Sequence, residues 1–143
     1  MIKFLNNNIN EINEVILSTA KKLNLPEIIV EKDLWVSYIL MYLFKYSKFK
    51  DNFQFKGGTS LSKGYNIINR FSEDVDIILN PNVIDENLDN IATLDSKTKQ
   101  NKFKNELIKK SISFYKQDLI PEMEQHFNNN IKHKINVSLD EDE

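Results

Sequence analysis

The chain reads as an α/β (α+β) fold, a small mixed β-sheet with two N-terminal helices and one long helix packed on it. Three observations predict this. Apolar residues recur every three or four positions over 8–22, 26–46 and 96–127, the period of amphipathic helices. Apolar and polar residues alternate over 53–56, 74–79 and 131–139, the period of half-buried strands. Turn and breaker residues separate these segments: Asn24-Leu25-Pro26, Gly57-Gly58, Asn80-Pro81 and Asn128-Asn129-Asn130.

A length of 143 residues suits one compact domain with a real core. The expected layout is a single domain over 1–143, with helices in 1–50, a strand-turn-helix-strand core over 53–79, and a long helix plus a final strand over 96–139. Hydrophobic content of 41% and charged content of 28% are ordinary for a globular protein. A formal net charge of −2 gives no whole-molecule attraction for nucleic acid, so any such binding requires a local patch. The absence of cysteine excludes a disulfide framework and thiolate metal sites. The N-terminus lacks the apolar region of a signal peptide, and the most apolar segment, 34–44, is too short to span a bilayer. A cytoplasmic protein without membrane contact is expected.

In the first helix Ile9, Ile12, Ile16, Ala20 and Leu23 form the apolar face. Pro26 suits the first turn of the second, whose broad stripe is Ile29, Leu34, Val36, Ile39, Leu40, Leu43 and Phe44. The charged triplet Glu31-Lys32-Asp33 within it has two readings: a solvated surface, or a site in which Lys32 or Asp33 reaches toward bound phosphate.

Phe53-Gln54-Phe55-Lys56 then forms a strand with both aromatics inward. Gly57-Gly58 ends it, and 59–69 suits a short helix with Leu61, Tyr65 and Ile68 inward. The second strand carries Asp74 and Asp76 on one face, with Val75, Ile77 and Leu79 toward the core. Residues two apart on a strand point the same way, with Cα atoms roughly 7 Å apart. The two aspartates thus form a carboxylate pair.

Residues 82–95 read as a loop. Ser96 is a suitable N-cap for the long helix, with Phe103, Leu107, Ile112, Tyr115, Leu119, Met123 and Phe127 inward and Pro121 kinking or splitting it. Its front half is basic, through Lys97, Lys99, Lys102, Lys104, Lys109, Lys110 and Lys116. A solvated face is one explanation, an RNA-backbone contact the sharper one. In the final strand Ile131, His133, Ile135, Val137 and Leu139 share the apolar face, and His133 is expected to be a core histidine.

The chemistry concentrates in 53–79. The amide groups that follow Gly57-Gly58, with Thr59 and Ser60 beside them, can hold phosphate, and Lys63 can neutralise its charge. Paired carboxylates bind hard divalent cations through oxygen, and Mg²⁺ keeps its other positions for water and phosphates. An ordinary tight turn explains the glycines alone, and an exposed strand entrance explains the aspartates alone. Their joint order and spacing fit metal-assisted phosphoryl or nucleotidyl transfer. A Walker loop is excluded because Ser62 and Gly64 occupy the places of its second glycine and its hydroxyl residue. His126 and His133 lack a plausible zinc ligand set.

At these residues, FKGGTSLSKGY with RFSEDVDIIL, the chain resembles the AbiEii nucleotidyltransferase toxins within the polymerase-β-like superfamily. Glu31-Lys32-Asp33 matches the same pattern. The resemblance implies the minimal nucleotidyltransferase sheet and transfer of a nucleotide from a nucleoside triphosphate, with Mg²⁺, to an acceptor such as the tRNA 3′ end. It also implies a cognate antitoxin within a toxin–antitoxin or abortive-infection system. By motif position, Gly57, Gly58, Thr59, Ser60 and Lys63 would handle triphosphate, and Asp74 and Asp76 would be catalytic and hold metal. Lys32, Asp33, Arg70, Ser72 and Glu73 would support them. Members of that family usually continue further, with a third carboxylate on a later strand. Here Lys132, Lys134, Asn136 and Ser138 occupy the polar side of the last strand. An N-terminal or truncated portion is therefore expected, with a catalytically incomplete nucleotide- or partner-binding fragment as the alternative.

Overall fold

The computed structural model describes residues 1–56, 75–85 and 96–140. Helices α1 (Ile2–Leu5), α2 (Ile9–Leu23) and α3 (Glu27–Met41) lead into strands β1 (Phe53–Phe55) and β2 (Ile77–Leu79). Helices α4 (Lys97–Phe114) and α5 (Ile120–Asn130) follow. The α/β class read from the sequence holds, with several helices and, among the described residues, one two-stranded antiparallel sheet. The chain divides into two compact units: Met1–Leu79 with Ile131–His133, and Asn80–Asn130 with Lys134–Glu143.

In the first unit α2 starts at Asn8, whose side chain accepts a hydrogen bond from the Asn10 N–H at 3.0 Å. This satisfies one of the donors that a helix start leaves open. Ile12, Ile16 and Ala20 are buried, whereas Ile9 and Leu23 at the helix ends stay exposed. Asn24 ends the helix in the left-handed region, with φ at 53°. The Leu25 N–H donates to the Ala20 carbonyl at 3.0 Å, and that of Asn24 to Lys21 at 3.3 Å. These two bonds are the Schellman closure, and asparagine is the residue besides glycine that tolerates it best. Pro26 is the N-cap of α3 rather than its first helical residue, a one-position difference from the sequence reading.

Helix α3 packs against α2 and runs on into a π-helical turn, Tyr42–Tyr46. Its deepest side chains are Tyr38 and Tyr42, with Val36 and Leu43 beside them. Phe44, expected inward, is exposed, because regular helical spacing puts it opposite the side that Val36, Tyr38, Tyr42 and Leu43 bury. Burial raises the Tyr38 phenol above its ordinary pKa, and Tyr46 adds to the effect. The short helix α1 was not foreseen. It buries Leu5 and presents Asn6, whose Oδ1 accepts a hydrogen bond from the Lys132 N–H at 2.7 Å.

In the second unit the Ser96 hydroxyl accepts from the Lys99 N–H at 3.3 Å and starts α4 as expected. The helix reaches Asn130, and a π-helical turn, Tyr115–Leu119, stands just before Pro121. A proline in an α-helix presses on the carbonyl four residues back and leaves it without a donor; the wider turn relieves both effects. The inserted residue shifts the buried stripe by one position. Before the turn the inward positions are Phe103, Leu107, Ser111 and Phe114; after it they are Leu119, Met123 and Phe127. Ile112, expected inward, is 41% exposed, and Phe114 is 8% exposed.

Residues 134–140 keep the alternation in burial, and 131–140 form no ladder among the described residues. In place of the predicted final strand the chain is irregular, with a bend at Lys132 and His133. Its Val137 N–H donates to Glu124 Oε1 at 3.4 Å. His133 is exposed at a bend, which corrects the expectation of a core histidine. Alternation reports a half-buried extended chain and says nothing of a pairing partner. Among the described residues no helix is long and apolar enough to cross a membrane.

Candidate active site on the outer face of the hairpin

The path from α3 into β1 is fixed by Ser47. Its N–H donates to the Tyr42 carbonyl at 2.9 Å, closing the π-helical turn, and its hydroxyl accepts from the Phe49 N–H at 3.1 Å. Ser47 is 1% exposed, so this polar hinge is satisfied inside the unit. A 3₁₀ turn, Lys50–Asn52, then delivers the chain to β1. Phe53 is buried, its ring edge-on to Phe44 with centroids 6.3 Å apart.

Strands β1 and β2 pair antiparallel, with Phe53 opposite Leu79, Gln54 opposite Ile78 and Phe55 opposite Ile77. The pairing extends one step further: the Lys56 N–H donates to the Asp76 carbonyl at 3.0 Å. Directly opposed residues share a face. Gln54, Lys56, Asp76 and Ile78 therefore lie together on the outward side, and all four are exposed. Val75, Ile77 and Leu79 are half-buried on the other side, as their alternation predicts. Beyond β2 the Asn80 side chain accepts from the Asn82 N–H at 3.1 Å, and a 3₁₀ turn beginning at Pro81 ends the strand.

The exposed side is shallowly concave. Among the described residues, a depression of about 460 Å³ is lined by Lys56, Asp76, Ile77 and Ile78. It offers a carboxylate, an ammonium and an apolar flank, and Ile78 is 41% exposed there. A carboxylate there can meet a hard cation, an ammonium can meet phosphate, and an exposed isoleucine can meet the flat face of a base or sugar.

Of the residues singled out in the sequence, Asp76 is on this face. Asp74, Gly57, Gly58, Thr59, Ser60, Lys63, Arg70, Ser72 and Glu73 lie outside the described residues, as does the expected short helix over 59–69. On α3, Lys32 is exposed and Asp33 half-buried, and neither is among the described residues that line the depression. Lys56 and Ile78 were not picked out as site residues. The legible signal was parity: Lys56 and Asp76 are both polar residues flanked by apolar ones, and antiparallel pairing sets such positions on one face.

No curated protein and no solved structure matches the chain. The family model described as Nucleotidyl transferase AbiEii toxin, Type IV TA system, matches residues 39–141. The matched span takes in the end of α3, both strands and the long helix, which is most of the chain. With both strands and Asp76 lying inside that span, the chain belongs to the AbiEii nucleotidyl transferase toxin family of type IV toxin–antitoxin systems.

Proposed function

We propose that this chain is the nucleotide-handling part of a Mg²⁺-dependent nucleotidyltransferase toxin. It takes a nucleoside triphosphate and passes the nucleotide to an acceptor, with the tRNA 3′ end as the favoured candidate. It works in the cytoplasm beside a cognate antitoxin, in a toxin–antitoxin or abortive-infection system. The single observation behind this reading is the hydrogen bond from the Lys56 N–H to the Asp76 carbonyl. It sets the residue that precedes Gly57-Gly58 directly across from one member of the predicted carboxylate pair.

Mg²⁺ takes carboxylate oxygens as ligands. The Asp76 carboxylate is exposed on the outward face, and Asp74 precedes it by two positions in the sequence. These two would hold Mg²⁺, and the bound ion supplies neutralisation of charge on the triphosphate. Lys56 stands on the same face and can bind a phosphate oxygen as a point charge. Gly57, Gly58, Thr59, Ser60 and Lys63 complete the phosphate-handling set in this reading, and Lys32, Asp33, Arg70, Ser72 and Glu73 support it.

A second reading, nucleotide binding without turnover, is favoured by residues 131–140. This segment exposes Lys132, Lys134, Asn136 and Ser138 where the family resemblance calls for an acid. One experiment separates the two. The protein is incubated with α-labelled nucleoside triphosphates, Mg²⁺ and total RNA, with Asp76→Ala as control. Label transfer lost in Asp76→Ala supports the transferase. Thermal stabilisation by Mg²⁺ and triphosphate that needs Asp76, with no transfer, supports binding alone. Transfer that survives Asp76→Ala contradicts both.

A further inference from the structure

Helix α4 concentrates positive charge in a chain whose net charge is −2. It carries Lys97, Lys99, Lys102, Lys104, Lys109 and Lys110, with Glu106 as the acid among them. All six lysines are exposed, and Lys110 is engaged by Asp85. At 3.6 residues per turn, Lys97, Lys102, Lys104 and Lys109 project within an arc of roughly 160°, away from the stripe of Phe103, Leu107 and Phe114, and extend over about 18 Å. Thr98, Asn101 and Asn105 lie between them and are exposed. A charge track of this length on a regular helix matches a polymer of evenly spaced anions better than a single ligand.

The composition of the face decides which polyanion fits. Protein interfaces are depleted of lysine and gain their energy from buried aromatic and arginine anchors. The first three turns of this face display no exposed aromatic residue; they display lysine, asparagine and threonine. Those are side chains that contact phosphate and sugar oxygens in nucleic-acid complexes. Toward its C-terminal end the face also carries Ile108, between Lys104 and Lys109, and Ile112, both exposed.

We infer that the outward face of α4, from Lys97 to Lys109, is a docking track for an RNA backbone. The choice of RNA as the polyanion rests on the transferase reading above; the track itself rests on α4. Each lysine that meets a single-stranded phosphate adds about 0.7 to the slope of log affinity against log salt. Four lysines therefore predict a loss of roughly 50-fold between 50 and 200 mM salt.

The test is fluorescence anisotropy of labelled bulk tRNA with the full chain, in EDTA and without triphosphate, at 50 and 200 mM KCl. The wild type is expected to show the roughly 50-fold loss. Lys102→Gln/Lys104→Gln/Lys109→Gln should bind more weakly at 50 mM and lose only about threefold over the same range. The arginine triple at the same positions should behave as wild type, and Lys3→Gln/Lys21→Gln/Lys22→Gln should leave the salt dependence intact. Glutamine keeps helix propensity close to that of lysine, so circular dichroism of the variants should be unchanged. Full salt dependence in the α4 triple, an equal loss in the control triple, or displacement of tRNA by poly-glutamate as effective as by unlabelled tRNA would each overturn the assignment. The two readings fail separately. Salt-dependent tRNA binding by the wild type with no label transfer by the wild type removes the transferase alone, and transfer with unaltered tRNA affinity in the α4 triple removes the track alone.

Discussion

Replacing Phe114 by alanine should destabilise the protein far more than replacing Ile112, although both are large apolar residues on one helix. Phe114 is 8% exposed and Ile112 is 41% exposed. Truncating a buried phenylalanine costs about 3–5 kcal/mol, because the lost transfer energy adds to that of the cavity left behind. For a chain of this size that lowers Tm by on the order of 10 °C. Ile112→Ala should cost less than about 1 kcal/mol, close to the range of surface substitutions. Both residues precede the π-helical turn at Tyr115–Leu119, and regular α-helical spacing sets them about 200° apart; the turn then sets the phase of α5. Deleting Gln117 should therefore be severe: removing one residue rotates α5 by about 100° relative to α4. It would swing Phe127, only 3% exposed, out of its place. Urea unfolding followed by circular dichroism measures all three. Equal costs for Ile112→Ala and Phe114→Ala would refute the buried stripe of α4, and a deletion variant as stable as wild type would refute the placement of the turn.

Other variants test other joints. Asn24→Ala should cost about 1 kcal/mol in thermal unfolding because Asn24 sits at positive φ, while Asn24→Gly should cost nothing or stabilise slightly. Ser47→Ala removes the acceptor for the Phe49 N–H inside the unit and should cost about 1–3 kcal/mol, again read by thermal unfolding. Burial lowers the His126 pKa below its ordinary value, partly offset by Glu122. The unfolded chain then binds more protons, so stability should fall as pH drops through and below about 6.5, and His126→Gln should flatten that pH profile in urea titrations.

The helices were legible because their signals are local. Asn8, Asn24 and Ser96 each stand where a cap is needed, and Ile12, Ile16 and Ala20 keep a clean period. The two strands were legible as well, since Val75, Ile77 and Leu79 alternate with Asp76 and Ile78. The inserted turns were not, because an ideal 3.6-residue period carries no record of one extra residue. Pro121 did announce the second of them. Residues 131–140 misled for a different reason: pairing is a long-range property that alternation does not encode. Asp76 was legible through its motif, and Lys56 needed the register, which only the pairing of β1 with β2 supplies.

Paramagnetic broadening by Mn²⁺ in an amide-resolved NMR spectrum tests most directly whether a metal binds on the hairpin face. Substoichiometric Mn²⁺ should broaden the amide signals of Lys56, Asp76 and Ile77 before those of α2 or α4, and Asp76→Asn should abolish that selectivity. Broadening that ignores these three residues, or that is unchanged in Asp76→Asn, would contradict the metal site on this face.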